Sequence, residues 1–506
     1  MAQLTGSIQS ISLGQGYAIR APGIRGTADL VVPRSADVRS RGRTAEDGTE
    51  DLDSALAAAN MTEIRQVLVQ LQPTPPAEAV RALRSGDGQE SIELEMPDLG
   101  PETGQVVLAC DETGVITWHL PLDDQFGVET PASRGAGGVK RFRIPATQPR
   151  QAPTAGAGKR SLLGLVGRKL LKVLVYPVLD PAIGAVSEFF AERWEKAHRP
   201  YGLRDFSPSN RRTKGAGLIS SADSGKLTSG RALLYIHGTF STAHGAFDLL
   251  PDATFNALHE RYGGRTFAFN HFTMAHDPRQ NVEWFLAQFP PGRSLDVDIV
   301  CHSRGGLVAR TLAERPSVFG LNTSSVNVRR IVFVGVPNHG TALADPDHMV
   351  KMIDRLTTAL NLFPTGPVSE TLEALITAVK VIGHGALKGL PGLASMRPGG
   401  DFLKKINDGA PSGSGYYAVA ADFEPVEEGL KALVSGKIAD VVLDRVFKDV
   451  PNDLVVPEPG VYDANGSGAF PIPEKHLLLV PSTAGIIHTT MFRYPKAAEK
   501  IAEWLA

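Results

Sequence analysis

Val297-Asp298-Ile299-Val300-Cys301-His302-Ser303-Arg304-Gly305-Gly306-Leu307-Val308 reads as a buried strand running directly into a tight turn and a helix. The β-branched apolar run suits a strand covered on both faces of a parallel sheet. Gly305 and Gly306 let the following helix start close against its neighbours. A serine at such a joint stands on a sharp turn with its Oγ above the sheet edge, and the helix N-terminus behind it favours negative charge. Ser303 is therefore the candidate nucleophile. The plainer reading is a capping serine in an ordinary strand-to-helix turn. Cys301 stands where the Gly-x-Ser-x-Gly elbow has its first glycine, so a small thiol must fit beside the turn.

Working outward, Ala232-Leu233-Leu234-Tyr235-Ile236-His237-Gly238-Thr239-Phe240 is a second buried strand, ending in His-Gly about two strands upstream. Acyl transfer at a serine builds up negative charge on oxygen, which fixed backbone N–H groups stabilise. The N–H groups of Thr239 and Arg304 are the expected donors. His237, at a strand end, reads as a hydrogen-bonder that orders this loop, and His302 as packing behind the elbow. Of the 13 histidines, His488 follows the last strand candidate and precedes the C-terminal helix, which makes it the candidate base. His476 competes for that role, but it opens the strand 476–480 and so points to the other end of the chain's path. The acid must lie between Ser303 and His488 in the order Ser, acid, His. Asp453, in Pro451-Asn452-Asp453-Leu454-Val455-Val456-Pro457, is preferred, and Asp422, just after the strand 416–420, is the alternative.

Around these residues, strand candidates at 232–237, 266–270, 296–301, 329–335, 416–420 and 476–480 alternate with helix candidates at 243–262, 281–288, 305–314 and 494–505. This is the pattern of a parallel sheet with helices on both faces. Residues 343–412 are too long for a connection. Two apolar stripes there, Met352-Leu356-Leu360 and Leu372-Leu375-Ile376-Val379, predict a helical cap. With 506 residues, more than one core is expected. Residues 1–148 read as a β-rich N-terminal domain, with a hairpin at 105–110 and 115–120, a loop at 34–53 and a helix at 55–71. Residues 149–160 have linker composition, and 161–230 read as a helical or extended connecting segment before a catalytic domain at 231–506. A net charge of −2 gives no field for nucleic acid, and two cysteines make neither a disulfide framework nor a metal site. No cofactor is implied. The N-terminus lacks the basic and apolar signature of a secretory signal, and the most apolar run, 161–179, is broken by Arg168, Lys169, Lys172 and Pro177. The expected location is cytoplasmic, with peripheral membrane contact through the basic, apolar segment 159–179.

Taken together, His237-Gly238, Cys301-His302-Ser303-Arg304-Gly305-Gly306, Val334-Gly335-Val336-Pro337-Asn338-His339-Gly340-Thr341, Asn452-Asp453-Leu454-Val455-Val456-Pro457 and His488 resemble the lipase and esterase branch of the α/β-hydrolase superfamily. The resemblance spans residues 231–506. It implies a doubly wound, mostly parallel α/β sheet with a helical cap insertion. It also implies a serine hydrolase in which Ser303, His488 and Asp453 (or Asp422) cleave an ester or lipid-like substrate. The same triad serves thioesterases and amidases. A third reading, motivated by Cys301 and the N-terminal half, is a non-catalytic scaffold on the same fold. Bacterial hydrolases with N-terminal additions of this kind further suggest a regulatory protein partner through that half.

Overall fold

The computed structural model describes the chain except residues 34–46, 73–90, 112–113, 123–137, 146–166, 181, 221–222, 224, 290–293, 315, 323–325, 363–366, 409–413, 424–449 and 464–471. The linker expected at 149–160 lies outside the described residues. The chain forms two units. One holds Met1–Ser187 with Ile353–Phe363 and Leu375–Ala386; the other holds Glu188–Met352, Pro364–Ala374 and Leu387–Ala506.

Among its described residues the first unit contains two larger antiparallel sheets and a two-stranded one, Leu179–Asp180 with Gly184–Ala185. Six strands run in the order Ala2–Thr5, Arg25–Val31, Thr62–Leu71, Arg168–Pro177, Thr103–Asp111, Ile116–His119. Four more run in the order Ile11–Gly14, Tyr17–Arg20, Ser91–Pro97, Val139–Pro145. Alternate residues of both larger sheets, among them Ile19, Val67, Val69, Leu94, Phe142, Leu171 and Val173, share one buried core, as period-two patterning requires.

Three expectations are corrected here. The helix read at 55–71 is a helix at Asp47–Ala58 followed by a strand at Thr62–Leu71; Asn60, at φ +52°, ends the helix, and the alternation of Val67, Val69 and Leu71 makes the strand. The loop read at 34–53 is helical from Asp47, and its earlier part lies outside the described residues. Within the connecting segment read at 161–230, Arg168–Pro177 is a central strand of the larger sheet, paired on both sides. Leu171, Val173, Leu174 and Tyr176 are buried in the sheet, and Lys172 pairs with Asp53 (2.9 Å) and Glu63 (3.2 Å).

Part of the insertion belongs to this unit as well. The edge strand Ile116–His119 has its backbone met by side chains one helical face apart on Met349–Leu362. Asp354 Oδ1 accepts the Trp118 N–H (2.6 Å), Thr358 Oγ1 accepts the Ile116 N–H (3.0 Å) and donates to the Ile116 carbonyl (2.9 Å), and Asn361 donates to Gly114 O (2.9 Å). The expected cap at 343–412 is therefore divided: its helices Met349–Leu362 and Val368–Gly383 each contribute a length to the β unit. Both apolar stripes are buried.

The second unit is built on seven strands in the order Gly202–Asp205, Thr266–Asn270, Ala232–Ile236, Leu295–His302, Val326–Val334, Gly415–Ala421, Leu477–Val480. All neighbours are parallel except the first pair. Gly202–Asp205 and the helix Phe190–His198 thus start this unit earlier than residue 231. Pro251 splits the helix expected at 243–262 into Ala243–Ala246 and Asp252–Arg261. From Ala232–Ile236 the chain crosses to one side to form Thr266–Asn270, then returns to the other side as Leu295–His302. The strand order reverses between Ala232–Ile236 and Leu295–His302. The crevice outside the carboxyl ends of such a pair is where open α/β sheets place their ligands.

Candidate active site

Ser303 directly follows Leu295–His302 and precedes the helix Gly305–Ala313. Its backbone is left-handed, φ +53°, a conformation that costs an L residue about 1–3 kcal/mol and persists only where its surroundings hold it. Here the Ser303 N–H donates to Val334 O (2.9 Å) and the Gly306 N–H to Ser303 O (2.9 Å). Glycine is needed around the turn for space. A Cβ on Gly238 would stand 2.5 Å from Ser303 Cβ, one on Gly305 would strike the carbonyls of Ile236 and His237, and one on Gly306 would strike Val336. Cys301 fits because its side chain turns into the sheet: it is buried, its thiol donates to Val332 O (3.4 Å), and burial pushes that thiol well above its ordinary value.

His488 opens a short 3-10 helix, His488–Arg493, after the last strand. Two hydrogen bonds tie it to Asp453: its N–H donates to Asp453 O (2.9 Å), and Nδ1 lies 2.8 Å from Asp453 Oδ2. Both side chains are buried. Since the carboxylate accepts, Nδ1 carries the proton and Nε2 is left as the acceptor. The other carboxylate oxygen accepts the N–H groups of Val455 (2.9 Å) and Val456 (2.7 Å), in a turn that holds Leu454 at φ +82°. Thr341 Oγ1 donates to Val455 O (2.6 Å), so the Pro337–Thr341 loop braces the aspartate's turn. Asp422 does not meet His488; its Oδ1 accepts the Asn452 N–H (3.3 Å) and holds the start of that turn. His476 packs, tilted, against Tyr417 (4.3 Å between ring centroids) just before the strand Leu477–Val480, at its opposite, N-terminal end.

The imidazole and the elbow meet at one strand end. Val334 O takes the Ser303 N–H, and a Cβ on the next residue, Gly335, would stand 3.2 Å from His488 Nδ1. His302 Nε2 donates to His488 O (2.9 Å), and burial lowers the His302 ring to about 3, so it stays neutral behind the elbow. No described hydrogen bond joins Ser303 Oγ to His488 Nε2.

His237 is also neutral, lowered to about 3 by burial. Its Nε2 accepts the His271 N–H (3.2 Å), so Nδ1 is the protonated nitrogen and donates to Gly238 O (3.0 Å). The loop then turns through Phe240 at φ +58°. Among the described residues, neither the Thr239 nor the Arg304 N–H donates to a backbone or side-chain acceptor. The Arg304 side chain, which sequence reasoning had left without a role, runs buried beneath the elbow. Its Nε donates to Gly392 O (2.8 Å) and its Nη2 to both Asn281 Oδ1 (3.0 Å) and His276 O, while burial lowers the guanidinium to about 10.

Sequence reasoning also missed Glu195 and Thr273, which hold the loop facing this site. The signal for Glu195 was its position on the buried face of Phe190–His198, with Phe190, Ala191 and Trp194. A cavity of about 550 Å³ lined by Arg231, Asn327, Arg329 and Arg330 opens at the N-terminal ends of the strands, away from Ser303. Among the described residues no group of His, Cys, Asp and Glu is arranged to hold a metal ion, and no helix is long and apolar enough to cross a membrane.

A serine on a strand-to-helix elbow, with a buried His–Asp pair beside it, thus occupies the carboxyl edge of a mostly parallel α/β sheet. The chain belongs to the DUF7379 family, a domain of unknown function, whose model matches residues 198–506. No curated protein matches the sequence. Similar solved structures include a lipase from Bacillus licheniformis (BlEst2, mature form) at 16% identity and TM-score 0.31, covering 54% of this chain and 91% of that one. Lipase 1 from Pelosinus fermentans is similar at 12% identity and TM-score 0.33, covering 54% and 98%. The phospholipase PlaB from Legionella pneumophila follows at 14% identity and TM-score 0.30, covering 46% of this chain and 45% of its own.

Proposed function

We propose that this chain is a serine hydrolase of the α/β-hydrolase type that cleaves carboxylic esters through an acyl-enzyme. The observation that carries the reading is the 2.8 Å contact of His488 Nδ1 with Asp453 Oδ2 at the strand end where Ser303 sits at φ +53°. An ordinary capping serine has no need of left-handed backbone, nor of a buried imidazole with one nitrogen tied to a carboxylate and the other left free to accept.

In this mechanism His488 Nε2 takes the Ser303 proton as Oγ attacks the ester carbonyl, and Asp453 stabilises the imidazolium. The tetrahedral oxyanion is met by the N–H groups of Thr239 and Arg304, at the positive end of the helix Gly305–Ala313. His488 then gives its proton to the leaving alcohol. Water, deprotonated by the same imidazole, attacks the acyl-enzyme and releases the acid. The Ser303–His488 hydrogen bond forms on substrate binding, since such bonds are often long in ligand-free enzymes.

The test is hydrolysis of short- and long-chain chromogenic esters, acyl thioesters and anilides by the wild type, Ser303→Ala and His488→Ala. Ester turnover reduced at least about 10⁴-fold in both variants supports the proposal. Preferential cleavage of thioesters or anilides moves the substrate class while keeping the triad. Turnover that survives Ser303→Ala rules out Ser303 as the nucleophile, and none in the wild type favours a scaffold.

A further inference from the structure

The loop after His237 carries a strained residue whose support lies outside the proposed catalytic machinery. Phe240 is bulky and buried yet sits at φ +58°, and such a residue holds that conformation only when its neighbours fix it. Its N–H donates to Thr273 Oγ1 (3.3 Å). That hydroxyl in turn donates to Glu195 Oε1 (3.1 Å). The same oxygen accepts the N–H groups of Thr273 (2.5 Å) and Met274 (3.1 Å), and Glu195 Oε2 accepts that of Ala275 (2.9 Å). Thr273 and Glu195 are both fully enclosed. Four donors converging on one buried carboxylate, with the Arg199 and Arg304 guanidiniums both acting on it, make a rigid anchor. The anchored hydroxyl has one lone pair aimed at the Phe240 N–H.

We infer that Thr273, held by Glu195, is a positioning residue for the oxyanion loop: by drawing the Phe240 N–H away from Ser303 it fixes the turn that leaves the Thr239 N–H free for the reacting oxygen. The inference rests on the proposed serine-hydrolase reading for its catalytic consequence and on the geometry alone for its structural one. The loop lies directly against the elbow, since a Cβ on Gly238 would stand 3.2 Å from Ser303 Oγ. A shift in the Phe240 turn therefore reaches the nucleophile.

Thr273→Val keeps the shape and removes the hydroxyl; Thr273→Ser keeps the hydroxyl. Two readouts are taken on the full chain: kcat and KM for a short-chain chromogenic ester, and amide hydrogen exchange at residues 239–241. The valine variant is expected to lose roughly 10-fold or more in kcat, with KM within about twofold, because an oxyanion donor acts in the transition state. It is also expected to lose protection at the Phe240 amide, and the serine variant to restore both. Unchanged kcat with unchanged Phe240 exchange in Thr273→Val overturns the inference, as does a loss that Thr273→Ser does not repair. A wild type without turnover would sink the hydrolase reading separately. In that case the exchange comparison alone decides whether Thr273 fixes the turn: retained Phe240 protection in the valine variant refutes it.

Discussion

Asp453 makes three contacts within one side chain: an imidazole on one oxygen and two backbone N–H groups on the other. Asn in its place keeps an oxygen for the Val455 and Val456 N–H groups and presents NH₂ to His488, forcing the tautomer whose Nε2 carries the proton. The expected result for Asp453→Asn is a folded protein with kcat reduced about 10⁴-fold. Asp422→Asn, which keeps an acceptor for the Asn452 N–H, should remain within a few-fold of wild type. Steady-state kinetics of the two variants separate them, and equal losses would contradict the assignment of Asp453. This choice was legible in the sequence from chain order and from the turn-forming neighbours of Asp453. What could not be read there was the bracing by Thr341, which joins positions far apart along the chain. Cys301 is similar. The sequence showed a departure from glycine, but only the strand direction shows the thiol turned into the sheet and shut away. Native protein should leave Cys301 unmodified by a thiol reagent that modifies it after unfolding; rapid native modification of that peptide would contradict its burial.

Elements with strong periodicity were read correctly from the sequence because burial on both faces writes a continuous apolar run, as in Ala232–Ile236 and Leu295–His302. The strand Arg168–Pro177 was not, because Lys169 and Lys172 interrupt its run, and a lysine paired with Asp53 and Glu63 cannot be told from a solvated one without the fold. The elements around the elbow also set a pH dependence. His237 and His302 have an ordinary value of 6.5 in the unfolded chain and are lowered by burial to about 3 when folded. Between those values the unfolded chain binds protons that the folded state refuses. Stability is therefore full above about pH 6.5 and falls as pH drops toward 3, by up to about 1.4 kcal/mol per pH unit for each ring. Urea midpoints measured from pH 7.5 to 4.5 should decline, and less steeply in His302→Gln than in the wild type. A flat series would show that these rings are not kept neutral.

At the scale of the whole molecule, the unexpected feature is that a β-rich unit completes itself with residues from far down the chain. Asp354, Thr358 and Asn361 stand in for a strand partner along the edge of Ile116–His119, and the Trp118 indole donates to Thr357 Oγ1 (3.2 Å). No local pattern announces this: the stripe of Met352, Leu356 and Leu360 marks a buried helix face but not what covers it. Asp354→Ala with Thr358→Val leaves the Trp118 and Ile116 N–H groups without acceptors, at about 1–3 kcal/mol for each. Chemical denaturation of the full chain followed by tryptophan fluorescence should show that loss, and an unchanged midpoint would mean that the edge is satisfied without the helix.

The proposed mechanism requires Ser303 to be an activated nucleophile. Its most direct test is exposure of the purified full chain to a fluorophosphonate, followed by mass spectrometry of the peptide carrying residue 303. A single adduct on Ser303 is expected, absent in Ser303→Ala and strongly slowed in His488→Ala. An unmodified Ser303 in folded wild-type protein, or an adduct at another serine that persists in Ser303→Ala, would contradict it.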